Sequence, residues 1–215
     1  NLIEGDGGGG IFVDDPDVSF VLRNKILSPG TDGIRMSGIF NVIEKNRIEL
    51  AGADGIFVEA GATAAEVVKN RIELPTDDGI EVAGMDSFLD GNHVKDAQDN
   101  AFVFSGAGTE VVRCIASKPL SSGFVLPLGD SCTLVKCRVL GAGADGFFIN
   151  GSDDHILVLC RSVKATQNGF QVGGVFCQFL KCGATGSGVL DLADAAGAAT
   201  TNLYMACHFK LTNVP

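Results

Sequence analysis

The sequence predicts an all-β fold, a single-stranded parallel β-helix (solenoid) of about nine coils. Two short phrases that alternate along the chain about every 22 residues lead to this prediction, together with turn residues spread over its whole length. The 215 residues include 29 Gly and 14 Phe, and no helical periodicity lies between the phrases. This composition favours turn-rich β structure and excludes an all-α fold.

The first phrase is a Gly followed by an apolar, a variable and another apolar residue. Such alternation is typical of a short strand with one buried face. Its nine copies begin at Gly10, Gly33, Gly55, Gly79, Ala101, Gly123, Gly146, Gly169 and Gly188. The first apolar position is expected to form an internal column, first of Ile and then of aromatic rings: Ile11, Ile34, Ile56, Ile80, Phe102, Phe124, Phe147 and Phe170.

The second phrase centres on Asn in four copies and Cys in five, with an apolar residue three positions earlier. Its centres are Asn24, Asn46, Asn70, Asn92, Cys114, Cys137, Cys160, Cys182 and Cys207. In a solenoid these centres become vertical neighbours, so stacked Asn amides can satisfy one another in the interior. Free Cys fills the same slot as a small apolar residue, and a straight column provides no tetrahedral zinc site. The sequence therefore predicts a structural ladder without disulfides or metal.

These coils, with internal Asn and aromatic stacks and Gly-rich turns, resemble the right-handed parallel β-helix of the pectate-lyase-like superfamily, which includes bacteriophage tailspikes. The resemblance covers residues 10–210, with 1–9 as a lead-in or cap remnant and 211–215 as a tail. It implies a virion tailspike-like protein, forming a homotrimer, that binds or also depolymerises a host cell-surface polysaccharide. A secreted polysaccharide lyase or glycoside hydrolase acting as a monomer, and a structural adhesin rod without catalysis, are the alternatives.

Charge, hydropathy and cysteine content restrict the classes of partner and the cellular compartment. The 16 basic and 26 acidic residues give a net charge of −10, which argues against nucleic acid and anionic membranes as partners. No apolar stretch is long enough for membrane insertion. Seven Cys without evident pairing favour assembly in a reducing cytosol, which suits a virion assembled in the host cytoplasm, while an extracellular location fits the alternatives. The chain starts at Asn1 without Met, which indicates a processed or truncated piece.

No cofactor is predicted. The run from Gly141 to Gly146 matches GxGxxG, but the sequence predicts a strand after it where a dinucleotide site needs a helix. The motifs of polygalacturonase-like members of the superfamily are also incomplete, since only their Asp-Asp pair occurs, for instance at Asp77-Asp78. Their active site therefore cannot be transferred to this chain, and the acidic clusters are interpreted as turns, with a metal-binding or acid/base role as the alternative.

A basic stripe flanks the second phrase. It contains 11 of the 16 basic residues: Arg23, Lys25, Lys45, Arg47, Lys69, Arg71, Arg113, Lys136, Arg138, Arg161 and Lys181. One interpretation is a solvated face paired in part with Glu49 and Glu73. The other is a binding surface for an anionic polysaccharide, with Arg47 and Arg71 as substrate-binding residues.

The outward position of the first phrase is unusually apolar. Its occupants are Phe12, Arg35, Phe57, Glu81, Val103, Val125, Phe148, Gln171 and Leu190. A solvent face should be mostly polar, so this strip indicates a covered surface. A subunit interface, a flanking segment over the strip and an aromatic platform for sugars all remain open.

Glu59 and Glu81 are the candidate catalytic pair. On adjacent coils they face the same way with about 8 Å between Cα atoms, within the range of inverting glycoside hydrolases. Arg35 and Phe57 lie next to them and would bind substrate by charge and ring stacking. Ordinary surface or interface residues are the alternative for the pair.

Overall fold

The computed structural model describes residues 1–5, 7–14, 17–127, 131–151, 153–194 and 202–209. Within these ranges the chain forms 28 short strands and no helix, and hence no helix that could cross a membrane. Every strand pairs in parallel with strands one coil away, and the strands form three sheets, named A, B and C in the order in which the chain visits them. The predicted parallel β-helix is confirmed.

Each coil contributes one strand to each sheet. Sheet A contains β1 (Leu2–Glu4), β4 (Lys25–Leu27), β7 (Arg47–Glu49), β10 (Arg71–Glu73), β13 (His93–Lys95), β16 (Ile115–Ser117), β19 (Arg138–Leu140), β22 (Arg161–Val163), β25 (Gly183–Thr185) and β28 (His208–Phe209). Sheet B contains β2 (Ile11–Val13), β5 (Ile34–Met36), β8 (Ile56–Val58), β11 (Ile80–Val82), β14 (Phe102–Phe104), β17 (Phe124–Leu126), β20 (Phe147–Ile149), β23 (Phe170–Val172) and β26 (Leu192–Asp194). Sheet C contains β3 (Phe20–Leu22), β6 (Val42–Glu44), β9 (Glu66–Val68), β12 (Phe88–Asp90), β15 (Glu110–Val112), β18 (Thr133–Val135), β21 (Ile156–Val158), β24 (Gln178–Leu180) and β27 (Leu203–Met205).

The register of all three sheets follows the repeat. In sheets A and C the middle residue of each strand points inward, as with Ile26, Ile48 and Ile72. In sheet B the two outer residues of the strand are buried and the middle one faces out, as in Ile56-Phe57-Val58. The nine strands of sheet B are joined by eight pairings, so the rod has about eight full turns. The nine strands of sheet B match the predicted nine copies of the first phrase, and the number of full turns is close to the predicted nine coils.

The Asn ladder is a continuous hydrogen-bonded column. The Asn46 side-chain amide donates to Asn70 Oδ1 at 3.0 Å and to the Val21 carbonyl at 2.8 Å, and its main-chain N–H donates to the same Oδ1 at 2.8 Å. In the last four Cys copies, Cys137, Cys160, Cys182 and Cys207, the thiol replaces the amide as donor to the equivalent carbonyl. Cys137 donates to the Val111 carbonyl at 3.4 Å. All seven cysteines are free thiols.

The aromatic column is confirmed as core. Phe102, Phe124, Phe147 and Phe170 are fully buried, with ring centroids 4.6 to 5.0 Å apart and planes within 7° of parallel. Each stacked pair adds about 0.5–1.5 kcal/mol to the free energy of unfolding beyond its burial. The column therefore holds successive coils together along the axis of the rod.

The basic stripe lies at the corner where the chain passes from sheet C to sheet A. One left-handed residue precedes each Asn or Cys centre, with φ between 51° and 65°. These residues are Arg23, Lys45, Lys69, Gly91, Arg113, Lys136, Leu159, Lys181 and Ala206. A non-Gly residue in this region costs about 1 kcal/mol or more, which the ladder contacts of the following residue offset. The long basic side chains consequently project from the outside of this corner.

The predicted ninth copy of the first phrase is wrong. The sequence pattern places it at Gly188, but the strand is β26, so Ala193 and not Leu190 occupies the outward position above Gln171. Gly188 and Val189 still belong to the preceding turn, because their N–H groups donate to the carbonyls of Ala165 and Gln167. A longer turn thus shifts the last strand along the chain.

The first residues belong to the solenoid. Residues 2–4, predicted from sequence to be part of a lead-in segment, form β1 and pair with β4, and the Asn1 amide donates to Asn24 Oδ1 at 3.1 Å. The predicted tail, 211–215, lies outside the described residues.

Candidate functional site

The candidate site is a groove along the turn from sheet A to sheet B and the adjoining outer face of sheet B. A second polar column, which the sequence pattern did not predict, forms its edge. It consists of Asp32, Asp54, Asp78, Asn100, Ser122, Asp145 and Asn168. The first six side chains each accept the main-chain N–H of the next member of the column; for example, Asp78 N–H donates to Asp54 Oδ1 at 3.0 Å and Asn100 N–H donates to Asp78 Oδ1 at 2.9 Å.

The sequence carries a signal for this column. Each of the seven residues directly precedes the Gly or Ala that starts the first phrase, so the column is as regular as the Asn ladder. Taken one at a time, the Asp-Gly pairs indicate isolated turns, although a solenoid places them above one another. The hydrogen bonds to the neighbouring coil hold the oxygen atoms at a fixed depth along the groove.

The upper part of the groove is polar, with two carboxylates among its amide and hydroxyl groups and an apolar floor. It encloses about 450 Å³ and is lined by Asp99, Asn100, Ser121, Ser122, Val125, Asp145, Phe148, Gln167 and Gln171. Val125 and Phe148 are outward residues of sheet B stacked one coil apart. The Asn168 amide donates to Asp145 Oδ1 and Gln171 Oε1, both at 2.9 Å, and thereby orients the amide of Gln171.

The lower part of the groove is acidic. The carboxylates of Asp54, Asp78 and Glu81 lie within 4.8 Å of one another, and those of Asp77, Asp78 and Asp99 form an overlapping group. Burial raises the pKa of Asp54 to about 7, and the charge of Asp78 adds to the rise. Burial likewise raises the pKa of Asp78 to about 7 and, together with the charge of Asp77, raises the pKa of Glu81. Near neutral pH the group can therefore hold a proton beside an ionised carboxylate.

Arg35 and Phe57 meet at the lower end of the groove, as the sequence predicts. The Arg35 guanidinium carbon lies 5.2 Å from the ring centroid of Phe57 and 5.9 Å from that of Phe12, so the charge is held between two rings. Its Nε donates to Glu59 Oε1 at 2.5 Å. The guanidinium is thus oriented by the protein, with Glu59 as its acidic partner.

The two candidate catalytic carboxylates have different partners. Glu81 stacks on Phe57, and Glu59 follows Phe57 by two residues, which is the relative placement that the sequence predicts. Glu59 is paired with Arg35, whereas Glu81 belongs to the acidic group with Asp54 and Asp78. A catalytic role for the pair stays a prediction.

Arg47 and Arg71 lie on the outer face of sheet A, away from Arg35 and Phe57. Arg47 forms ion pairs with Glu49 and, at 3.6 Å, with Glu73. Arg71 Nε donates to Glu73 at 2.8 Å. The structure therefore does not bring these two predicted binding residues to the groove, and their guanidinium groups have carboxylate partners within the protein.

A three-sheet parallel solenoid with a groove along one sheet defines the class of β-helix proteins. The sequence matches the family model described as the right handed beta helix region over residues 1–87 and 61–204, and the chain belongs to this family. A comparison with curated proteins finds no match.

Solved structures with the same architecture include two enzymes and a bacteriophage tailspike. A periplasmic alginate epimerase superimposes with a TM-score of 0.70 at 12% identity, covering 89% of this chain and 50% of the epimerase. The catalytic unit of a GH87 α-1,3-glucanase from Streptomyces thermodiastaticus gives 0.59 at 14% identity, covering 93% and 49%. Tailspike protein 2 of an Escherichia coli bacteriophage gives 0.54 at 11% identity, covering 93% and 37%. The chain spans half or less of each of these proteins, and at these identities the likeness establishes the fold.

Proposed function

We propose that this protein is a polysaccharide-binding β-helix and that the groove along sheet B holds the glycan. The observation that carries the proposal is the upper part of the groove, where amide and hydroxyl groups border the apolar surface of Val125 and Phe148. The groove is open along the rod, so an extended polymer can lie across several coils.

The chemistry of this lining fits an uncharged sugar, because its carboxylates, Asp99 and Asp145, can accept hydrogen bonds from hydroxyl groups but repel anionic groups. A pyranose presents hydroxyl groups at its rim and C–H groups on its face, and a ring such as Phe148 stacks on that face. Asn100, Ser122 and Gln171 offer donors and acceptors to the hydroxyls. Because the polar column holds Asn100 and Ser122 to adjacent coils, these groups lose little freedom when a glycan binds.

The structural neighbours support a carbohydrate partner, since two of them are an alginate epimerase and an α-1,3-glucanase and the third is a phage tailspike. We propose a virion appendage that contacts a host surface polysaccharide, assembled as a parallel homotrimer, as the first setting. A secreted lyase or hydrolase working as a monomer is the second.

Affinity electrophoresis tests the groove. The protein is run in native gels that contain one of a panel of uncharged bacterial and plant polysaccharides. We expect retardation by at least one polymer, and loss of that retardation in the variants Phe148→Ser and Gln171→Ala. Phe176→Ser is the matched control, because Phe176 is an exposed ring at 54% accessibility outside the groove. Equal retardation of all three variants and the parent protein, or a lack of retardation across the panel, would refute the proposal.

Catalysis at the acidic group is a second candidate function. A protonated carboxyl beside an ionised one is what glycoside hydrolysis requires, and the raised pKa values of Asp54, Asp78 and Glu81 supply both states near neutral pH. Release of reducing ends, or of unsaturated ends for a lyase, measures it on any polymer that binds. Glu81→Gln should abolish release while retaining binding; if Glu59→Gln also abolishes release, the pair of Glu59 and Glu81 is favoured. Binding without release in the parent protein would leave an adhesin-like role.

Sedimentation at micromolar concentration tests the assembly. A trimer would support the tailspike-like setting, and a monomer would support the secreted enzyme. A trimer whose subunits bury Val125 and Phe148 against each other would overturn the groove as the glycan site, because these residues would then form the subunit interface that the apolar strip also suggests.

A further inference from the structure

We propose that the outer face of sheet A carries a second binding site, a notch at Gly183 that takes the sulfate or carboxylate group of an acidic polysaccharide. This site lies on a different sheet from the groove and stands independently of the function proposed for it. It rests on a cavity, on two cationic side chains and a histidine around it, and on the apolar or hydroxyl residues that replace carboxylates at the surrounding described positions.

The notch exists because one outward position of sheet A has no side chain. Gly183 stacks between Arg161 of the coil below and His208 of the coil above. The gap left by the missing side chain is a recess of about 120 Å³, the size of a single small anionic group. Its lining includes Arg161, Lys181, Gly183, Thr185 and His208. A Cβ on Gly183 would meet the His208 carbonyl at 2.8 Å, so glycine suits this position.

The basic side chains around the notch and the ring of His208 are exposed and available. Arg161, Lys181 and His208 are all exposed, and none of them forms an ion pair or a side-chain hydrogen bond within the described part of the chain. Arg138, one coil below Arg161, extends the row in the same way. Guanidinium and ammonium groups bind sulfate and carboxylate through charge-assisted hydrogen bonds, and Arg can do so with two parallel bonds.

The contrast with the coils of Arg47 and Arg71 shows why the upper row is free. Arg47 and Arg71 each have a Glu two residues later, and their guanidinium groups pair with Glu49 and Glu73. In the upper coils the residues equivalent to Glu49 and Glu73 are Leu140, Val163 and Thr185. The carboxylates of these upper coils lie instead on sheet B and its two flanking turns: Asp145, Asp153, Asp154, Asp191 and Asp194.

The geometry of the row suits a polymer. Stacked strands repeat about every 4.8 Å, so Arg138, Arg161 and the notch offer anion contacts at regular intervals along the rod. A chain that bears one acidic group per sugar could meet several of them in succession. The net charge of −10 does not prevent this, because at physiological salt opposing charges more than about 8 Å away are largely screened.

Affinity electrophoresis in gels that contain dextran sulfate, polygalacturonate or unmodified dextran tests the site. We expect retardation by at least one of the two acidic polymers, weakening as salt increases, and none by dextran. The double variant Arg161→Gln/Lys181→Gln should bind at least about fivefold more weakly, the loss of about 1 kcal/mol. The charge-retaining variant Arg161→Lys/Lys181→Arg should keep most of the binding.

Two controls distinguish binding at the notch from a general effect of net charge and from binding in the groove. Arg47→Gln/Arg71→Gln removes the same charge from the same sheet, so it should leave binding within about twofold because those guanidiniums are already paired. Phe148→Ser should also leave it unchanged, since the groove is separate. No retardation by either acidic polymer, or an equal loss in both double charge variants, would overturn the proposal.

Discussion

The substitution Asp78→Asn is expected to stabilise the protein at pH 8 and to do so much less at pH 5. Asp78 lies in the polar column directly above Asp54, so the two carboxyl groups stack on each other. In the next coil the same position of the column is occupied by the uncharged Asn100. An Asn at position 78 keeps an oxygen that accepts the Asn100 N–H. Its amide can donate to Asp54 Oδ1 in the way that the Asn100 amide donates to Asp78, at 3.1 Å. The replacement therefore fits the site and removes one charge.

The size of this stabilisation follows from the pKa of Asp78. A rise from 3.8 to about 7 on folding means that the folded state resists ionisation of Asp78. If the carboxyl were sealed from water this would cost about 4 kcal/mol at pH 8, at about 1.4 kcal/mol per pKa unit. The carboxyl borders an open groove, and solvent screening reduces the expected gain for Asp78→Asn to about 1–2 kcal/mol.

The sign of the pH dependence is fixed by the direction of the shift. A carboxyl whose pKa is raised in the folded state binds more protons when folded, so its cost is absent below pH 3.8, grows between pH 3.8 and about 7, and is complete above that. The gain should thus fall to less than half its pH 8 value at pH 5.

Urea unfolding followed by circular dichroism at pH 5, 6, 7 and 8 measures this gain. Asp77→Asn is the matched control, because it removes the same charge from the exposed neighbouring residue and should change the free energy of unfolding by less than about 0.5 kcal/mol. A gain that is the same at every pH, or a loss of stability at pH 8, would show that Asp78 is not a destabilising buried acid.

Substitutions at three further interior positions, Asn70, Phe124 and Gly123, are tested by urea unfolding. Asn70→Ala should cost about 2–4 kcal/mol because it breaks the hydrogen-bonded column, and Asn70→Cys should cost less since a thiol serves the same carbonyl in other coils; equal losses would contradict this. Phe124→Ala should cost about 3–5 kcal/mol, and Phe124→Ile should cost less because Ile fills more of the site, although it still loses the ring stacking; an Ile variant as stable as the parent protein would show that the stacking is unimportant. Gly123→Ala places a Cβ 2.5 Å from Val139 and should cost about 1–3 kcal/mol, part of which Val139→Ala should restore; strict additivity of the two would refute the contact.

The sequence predicts those features that depend on period alone. The vertical alignment of Asn46 with Asn70, and of Phe102 with Phe124, follows once the coil length is known, because in-register stacking makes equivalent residues neighbours. The ninth coil is misplaced by the pattern, since Gly188 and Val189 repeat the phrase by composition while their hydrogen bonds assign them to a turn.

The candidate site is less predictable for a physical reason. An Asp-Gly pair such as Asp54-Gly55 has a sufficient local explanation as a turn, and only the hydrogen bond to the next coil shows that it belongs to a column. The partners of Glu59 and Glu81 also escape prediction, because they depend on side-chain directions that a period cannot specify. The apolar strip of sheet B is correctly located by the sequence, except at its last member.

The coil-to-coil register also limits how the length of this molecule can change. Residues 71–92 form one complete coil, with Arg71 aligned below His93 and Asn70 below Asn92. Excising them would join two equivalent points of the spiral and shorten the rod by one step of about 4.8 Å without creating a new type of contact. Removing a single residue would instead put inward side chains outside over the strand that follows. The length of this rod can therefore change only by whole coils. Duplication or loss of complete coils offers a direct route by which its relatives can differ in length.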